Sequence, residues 1–156
     1  MSEALAPNST ISHYRIVSKI GAGGMGEVGN VWTVDANTSL VHNFTPGGKK
    51  LLEISVGDVP DPTQDFCGAT DIAFARNGHV FVADGYCNAR VIEYDAAGTK
   101  LRQWGKRGTG PGEFDVVHSI AVGPQGNIYV ADRENGRLQW FDPQGKLNEL
   151  KIPFPV

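Results

Sequence analysis

The chain has 156 residues, enough for one ordinary core plus a short arm. Its formal net charge of -3 and its scattered Lys and Arg give no basic stripe of the kind that attracts nucleic acid or an anionic membrane, so neither partner is expected. With 20 Gly and 9 Pro among short apolar runs such as HVFVAD and NIYVAD, the composition points to many short strands and turns, an all-β chain.

The N-terminal stretch MSEALAPNST lacks the charged start and apolar run of a secretory signal, and no window approaches the ~18 apolar residues of a membrane span. The default location is therefore cytoplasmic. The next stretch, YRIVSKIGAGGMGEV, sets Gly21, Gly23, Gly26 and Val28 on the pattern G-x-G-x-x-G-x-V. It resembles the glycine-rich loop of bacterial serine/threonine protein kinases, which covers ATP phosphates. Kinase catalysis also needs a following-strand lysine, a catalytic-loop aspartate and a metal-binding aspartate. Here Val28 runs into GNVWTVD rather than V-A-I-K, and neither H-R-D nor D-F-G occurs. Residues 1–28 are accordingly expected to be a flexible Gly-rich arm rather than a domain, with no nucleotide bound. The join at Gly29 is what a gene fusion or truncation would leave.

Residues 29–156 repeat. GHVFVADGYCNARVIEYDAAGTKL from Gly78 lies over GNIYVADRENGRLQWFDPQGKL from Gly126, at an offset of 48 residues and then 47. A third copy, GNVWTVDANTSLVHNFTPGGKKL, puts Gly29, Trp32, Asp35, Phe44 and Gly48 over Gly78, Phe81, Asp84, Tyr94 and Gly98. Each complete unit reads as an inner strand (71–74 or 119–122), a turn at Asn77-Gly78 or Gln125-Gly126, then further strands interrupted at Gly98 or Gly145. A period of ~40 to 50 residues with about four strands is that of a β-propeller blade. The runs VFVA and IYVA are expected to be covered on both faces by neighbouring blades. The pattern G-x-h-a-h-a-D…N-x-R…a-D-x-x-G resembles the NHL repeat from about Gly29 to Leu150. Two full blades and a third without its inner strand make a partial propeller, because closed ones need at least ~4 blades. Self-association or a partner would have to supply the rest.

Hairpin symmetry locates several polar residues, since residues equidistant from a turn sit opposite one another. Cys67 and Cys87 each lie ten residues from Asn77 and should meet at the open end of one hairpin. His118 and Arg133 are symmetric about Gln125-Gly126, and Thr70 and Tyr86 about Gly78. Tyr86, His118 and Arg133 are thus expected at one end of adjacent blades, near the axis.

Here DGYCNAR, VVHSIAV and ADRENGR resemble the propeller domain of the peptidyl-α-hydroxyglycine α-amidating lyases. That family cleaves a C-terminal α-hydroxyglycine to a peptide amide and glyoxylate, with zinc held by three histidines on the propeller axis. The resemblance implies that His118 is a zinc ligand, Tyr86 the general base and Arg133 the arginine that meets the substrate. It also implies a disulfide between Cys67 and Cys87, while Tyr129 and Trp140 stand where a second family disulfide would be. Zinc on the substrate hydroxyl would lower its pKa, a phenolate would take the proton, and a guanidinium would hold the glycine carboxylate. Zinc needs three or four ligands, however, and His13, His42 and His79 match no other ligand motif, so the catalytic set is partial.

Without the resemblance, His118 is an ordinary hydrogen-bonded strand-end histidine, and Tyr86 and Arg133 cap blade edges. The cysteines read as two thiols in the cytosol or as a bridge in an oxidising compartment, where the resembled family is found. Three function classes follow: a lyase-like zinc enzyme segment acting on a peptide, weakly active or inactive alone; a non-catalytic NHL interaction module; and a remnant of a kinase regulatory protein.

Overall fold

A computed structural model of the chain describes residues 29–57 and 67–148 in full, and the backbone alone of residues 10–11, 14–19 and 149–153. Every described element is a strand. The first sheet, blade 1, runs in chain order through β1 (Thr10–Ile11), β2 (Tyr14–Lys19), β3 (Val31–Asp35), β4 (Leu40–Phe44) and β5 (Lys50–Ser55). Blade 2 comprises β6 (Ala69–Phe74), β7 (Val80–Asp84), β8 (Arg90–Tyr94) and β9 (Lys100–Trp104). Blade 3 comprises β10 (Val117–Val122), β11 (Ile128–Asp132), β12 (Arg137–Phe141) and β13 (Leu147–Pro153). Each is an antiparallel meander, so the all-β partial propeller expected from the repeat is the fold observed.

One expectation is corrected. The repeat alignment predicts a first unit without an inner strand, but β2 fills that position and pairs antiparallel with β3, Arg15 opposite Val34 and Ile16 opposite Thr33. The segment YRIVSK shares no repeat pattern with the other inner strands. It does carry the aromatic and β-branched residues that suit a pleated surface, and β3 would otherwise present an open edge. Gly21, Gly23, Gly26 and Val28, the kinase-like glycine pattern, lie outside the described residues.

The core lies between sheets. Trp32, Val34, Val41, Ile54 and Val56 of blade 1 pack on Ala69, Ile72, Val80, Val82, Ile92 and Tyr94 of blade 2. The opposite face of blade 2, with Ala73, Phe81, Ala83, Ala89 and Val91, packs on Val117, Ile120, Ile128, Val130 and Phe141 of blade 3. VFVA in β7 is therefore buried on both faces as predicted. IYVA in β11 is not: its burial alternates, because only one face of blade 3 meets another described sheet. Burial and the nearby Asp84 carboxylate push the Tyr94 phenol up to about 12, so it stays neutral in the core.

A buried aspartate ends β3, β7 and β11, the equivalent strand of each unit. Asp35 accepts from the Asn37 and Thr38 amides in its own turn. Asp84 holds Asn88 and Arg90, and Asp132 holds Asn135 and Arg137. This is the physical content of the repeated D…N-x-R pattern: a fully buried carboxylate is tolerated because side chains of the following loop and strand neutralise and bond it.

Candidate functional site

The site is built where blades 2 and 3 touch most closely. A Cβ added to Gly85 would stand 1.8 Å from the Val117 carbonyl oxygen, so only glycine lets the loop after β7 cross the start of β10. That approach sets the next residue of each segment, Tyr86 and His118, side by side. Their rings meet edge to face, 6.4 Å between centroids and 81° between planes.

His118 owes its direction to a β-bulge. The β10–β11 register shifts between Val117 and Ser119, which leaves His118 as the extra residue, and a bulge re-aims the side chain it carries. In blade 2 the register shifts between Ala69 and Asp71, so the bulge residue there is Thr70. The two are 118 − 70 = 48 residues apart, the repeat offset. The Thr70 hydroxyl reaches the carbonyl oxygens of Ala83 (3.0 Å) and Val117 (2.6 Å), so it fastens the peptide unit that leads into His118. One side chain further on, the Asp71 carboxylate accepts from the Ile120 amide at 3.0 Å. Just before β10, Val116 has a φ of 64°, an uncommon and strained conformation for a β-branched residue.

The bulge also corrects the predicted opposition of His118 and Arg133. Val117, not His118, lies opposite Asp132, and the Arg133 amide donates to the Val116 carbonyl at 3.0 Å. A symmetric count about the turn cannot see an extra residue in one strand. The Arg133 backbone stays at the same end of blade 3 as His118. Its Nε donates to Glu134 Oε1 at 2.7 Å, with both side chains about half exposed (48% and 50%).

Cys67 and Cys87 form a disulfide with Cα atoms 4.9 Å apart, which resolves the open alternative in favour of the bridge. It ties the loop carrying Tyr86 to the entry of β6. Where the resemblance implied a second bridge, Tyr129 and Trp140 face each other across β11 and β12 with rings stacked, 6.2 Å between centroids.

The other histidines are occupied elsewhere or lie outside the described residues. His42 Nε2 is 3.2 Å from Glu53, and His79 Nδ1 is 2.7 Å from Glu93. His13 lies outside the described residues. Among the described residues no group of three or more His, Cys, Asp or Glu is arranged to hold a metal ion.

Sequence reasoning missed Thr70 and Gly85 as determinants of the site. A signal for the loop was present. The β7–β8 connection has 90 − 84 − 1 = 5 residues, against 137 − 132 − 1 = 4 for β11–β12. That one extra residue, in Gly85–Ala89, is why the repeat offset drops from 48 to 47.

The NHL repeat family matches residues 66–94 and 114–141. The chain is 39% identical over 134 residues to the peptidyl-glycine alpha-amidating monooxygenase of Mus musculus, covering 79% of this chain and 14% of that protein. It is 37% identical over 134 residues to a peptidyl-alpha-hydroxyglycine alpha-amidating lyase of Caenorhabditis elegans, covering 82% of this chain and 38% of that one. The chain thus spans well under half the length of either relative. Among solved structures, a streptogramin B lyase superposes with a TM-score of 0.61 at 17% identity, over 83% of this chain and 39% of that chain. The chain is a partial β-propeller that carries NHL repeats at residues 66–94 and 114–141, similar over 79–82% of its length to proteins named for peptidyl-glycine amidation.

Proposed function

We propose that this chain is an amidating-lyase-like propeller segment whose catalytic set is incomplete, so that alone it acts on peptidyl-α-hydroxyglycine weakly or not at all. The observation that carries this reading is the Tyr86–His118 ring contact, built by the close pass of Gly85 over Val117. In this reading the Tyr86 phenolate takes the proton of the substrate hydroxyl. Arg133 exchanges Glu134 for the glycine carboxylate, which a guanidinium holds bidentately. Collapse of the hemiaminal alkoxide then breaks the C–N bond, returns the proton from Tyr86 to the departing amide nitrogen and leaves glyoxylate. The described residues offer one histidine, His118, where a zinc centre needs three or four ligands, so they do not fit a complete site and no step is assigned to the metal.

The test is glyoxylate release from a hydroxyglycine-extended peptide with zinc added, for the unaltered chain and for His118→Ala and Tyr86→Phe. The expected result is little release above blank in all three. Robust turnover by the unaltered chain that both variants abolish would show the catalytic set to be complete and the proposal of incompleteness wrong. Turnover that neither variant affects would remove both residues from the reaction. The second reading, a non-catalytic NHL interaction module, is supported by the partly exposed apolar face of blade 3. Zinc content separates the two readings: zinc bound in a way that His118→Ala abolishes favours the lyase-like segment, and no bound zinc favours the interaction module.

A further inference from the structure

The two cysteines of the chain form one bridge, and it ends on the residue after Tyr86. Tyr86 is tied to one short segment both by its own backbone and by its neighbour: its amide donates to the Gly68 carbonyl at 3.3 Å, and Cys87 is bonded to Cys67. That segment is wedged against blade 1. The Cys67 carbonyl accepts from the Ser39 hydroxyl at 3.4 Å, and a Cβ on Gly68 would stand 2.5 Å from the Ala36 carbonyl oxygen. Cys67 is therefore a fixed point for the loop that carries Tyr86.

The loop itself is held against its preference. Residues 85–89 end on Ala89, a buried residue with a φ of 50°, whereas the equivalent loop of blade 3 ends on Gly136 with a φ of 57°. Glycine takes this left-handed region freely, and alanine is strained there. The blade 3 loop carries no cysteine, so the bridge stands in the unit whose loop is strained. We propose that the Cys67–Cys87 bridge is a redox switch on the Tyr86–His118 pair: bridged, the two rings stay in contact; as two thiols, residues 86–88 swing away from His118 while the sheets stay formed. Ala89 is the hinge, because rotation about its φ moves the residues before it and leaves its methyl packed in the core between blades 2 and 3. Cys67 belongs to neither apolar cluster that holds blade 2, so those cores do not need the bridge. Thiol–disulfide exchange supplies the step. Cys67 is 5% exposed and Cys87 half-buried, so one thiolate of an external dithiol attacks the Cys87 sulfur, the S–S bond breaks, and Cys67 leaves as a thiolate that takes a proton. The second thiol of the dithiol then displaces Cys87 from the mixed disulfide. Two electrons and two protons pass to the protein, and the dithiol closes to its own disulfide. An oxidising compartment thus keeps the pair assembled, and a reducing one releases it.

The experiment is NMR cross-relaxation between the Tyr86 and His118 ring protons in the full chain, assigned by its absence in His118→Ala. The oxidised chain should show the cross-peak. Dithiothreitol should abolish it while the amide signals of β7 and β8 keep their positions, and reoxidation should restore it. The paired Cys67→Ser and Cys87→Ser chain should lack the cross-peak with no reductant present. Should that chain not fold, alkylating the reduced protein and removing the reductant gives the bridge-free state instead. A cross-peak that survives reduction overturns the proposal, as does an oxidised chain without one. So does loss of the cross-peak together with the β7 and β8 signals, which would make the bridge a plain staple of the fold. The readout is a ring contact and not turnover, so it stands or falls separately from the lyase reading.

Discussion

Arg137 ties blade 3 to the loop that leads into it. Its Nε donates to the buried Asp132 carboxylate at 2.7 Å, and its other nitrogens reach the carbonyls of Thr109, Gly110 and Glu113 at 2.6 to 2.8 Å. Asp132 in turn accepts the Asp115 amide at 2.7 Å, directly before the strained Val116 and two residues from the start of the His118 bulge. One ion pair therefore fixes both the loop between β9 and β10 and the approach to the candidate site. Arg137→Ala leaves a carboxylate of 0% exposure without its cation, which costs about 3 to 5 kcal/mol. Arg137→Lys should recover only a part, since an ammonium lacks the rigid fork that reaches several acceptors at once. Urea denaturation of both variants checks this. A loss below ~1 kcal/mol for the alanine variant would mean that the Asp132 site relaxes and takes in water.

At the scale of strands, the disulfide closes a separation of 20 residues that spans the β6–β7 hairpin, and the chain-entropy account gives it about 3 kcal/mol. Reduction, or paired Cys67→Ser and Cys87→Ser changes, should lower the unfolding midpoint accordingly. A thermal melt identical with and without reductant would show that the hairpin end is held by Gly85 and Thr70 instead. The juxtaposition of these cysteines was legible because hairpin symmetry tolerates a shift of one residue when both partners lie in loops. The same count failed for His118 and Arg133, where the bulge inside β10 moves the register under the residue that matters. Blade number and the buried VFVA run were legible from the repeat itself. The inner strand of blade 1 was not. YRIVSK belongs by its letters to a kinase-like stretch, and only pairing with the open side of β3 makes it a strand of this sheet. Thr70 was equally hidden, since a threonine at the position where the next unit has histidine reads as an ordinary strand residue until its bonds to Ala83 and Val117 are seen.

Stability in the whole molecule should be graded rather than uniform, because sheets that contact only their neighbours behave as a short one-dimensional array. Blade 2 has a neighbour on each side, and all five residues of β7 are buried. Blade 3 has one described neighbour, and β11 and β12 bury alternate residues. The last strands of blades 1 and 2, β5 and β9, are largely exposed. Hydrogen exchange read by mass spectrometry should therefore find the slowest amides in β7 and β8, intermediate ones in β11 and β12, and the fastest in β5 and β9. Opening of blade 3 then sets the local free energy for the site, since β10 carries His118 while Tyr86 hangs from the better-protected β7. Equal protection of all three sheets would contradict the nearest-neighbour picture and make the molecule a single cooperative unit.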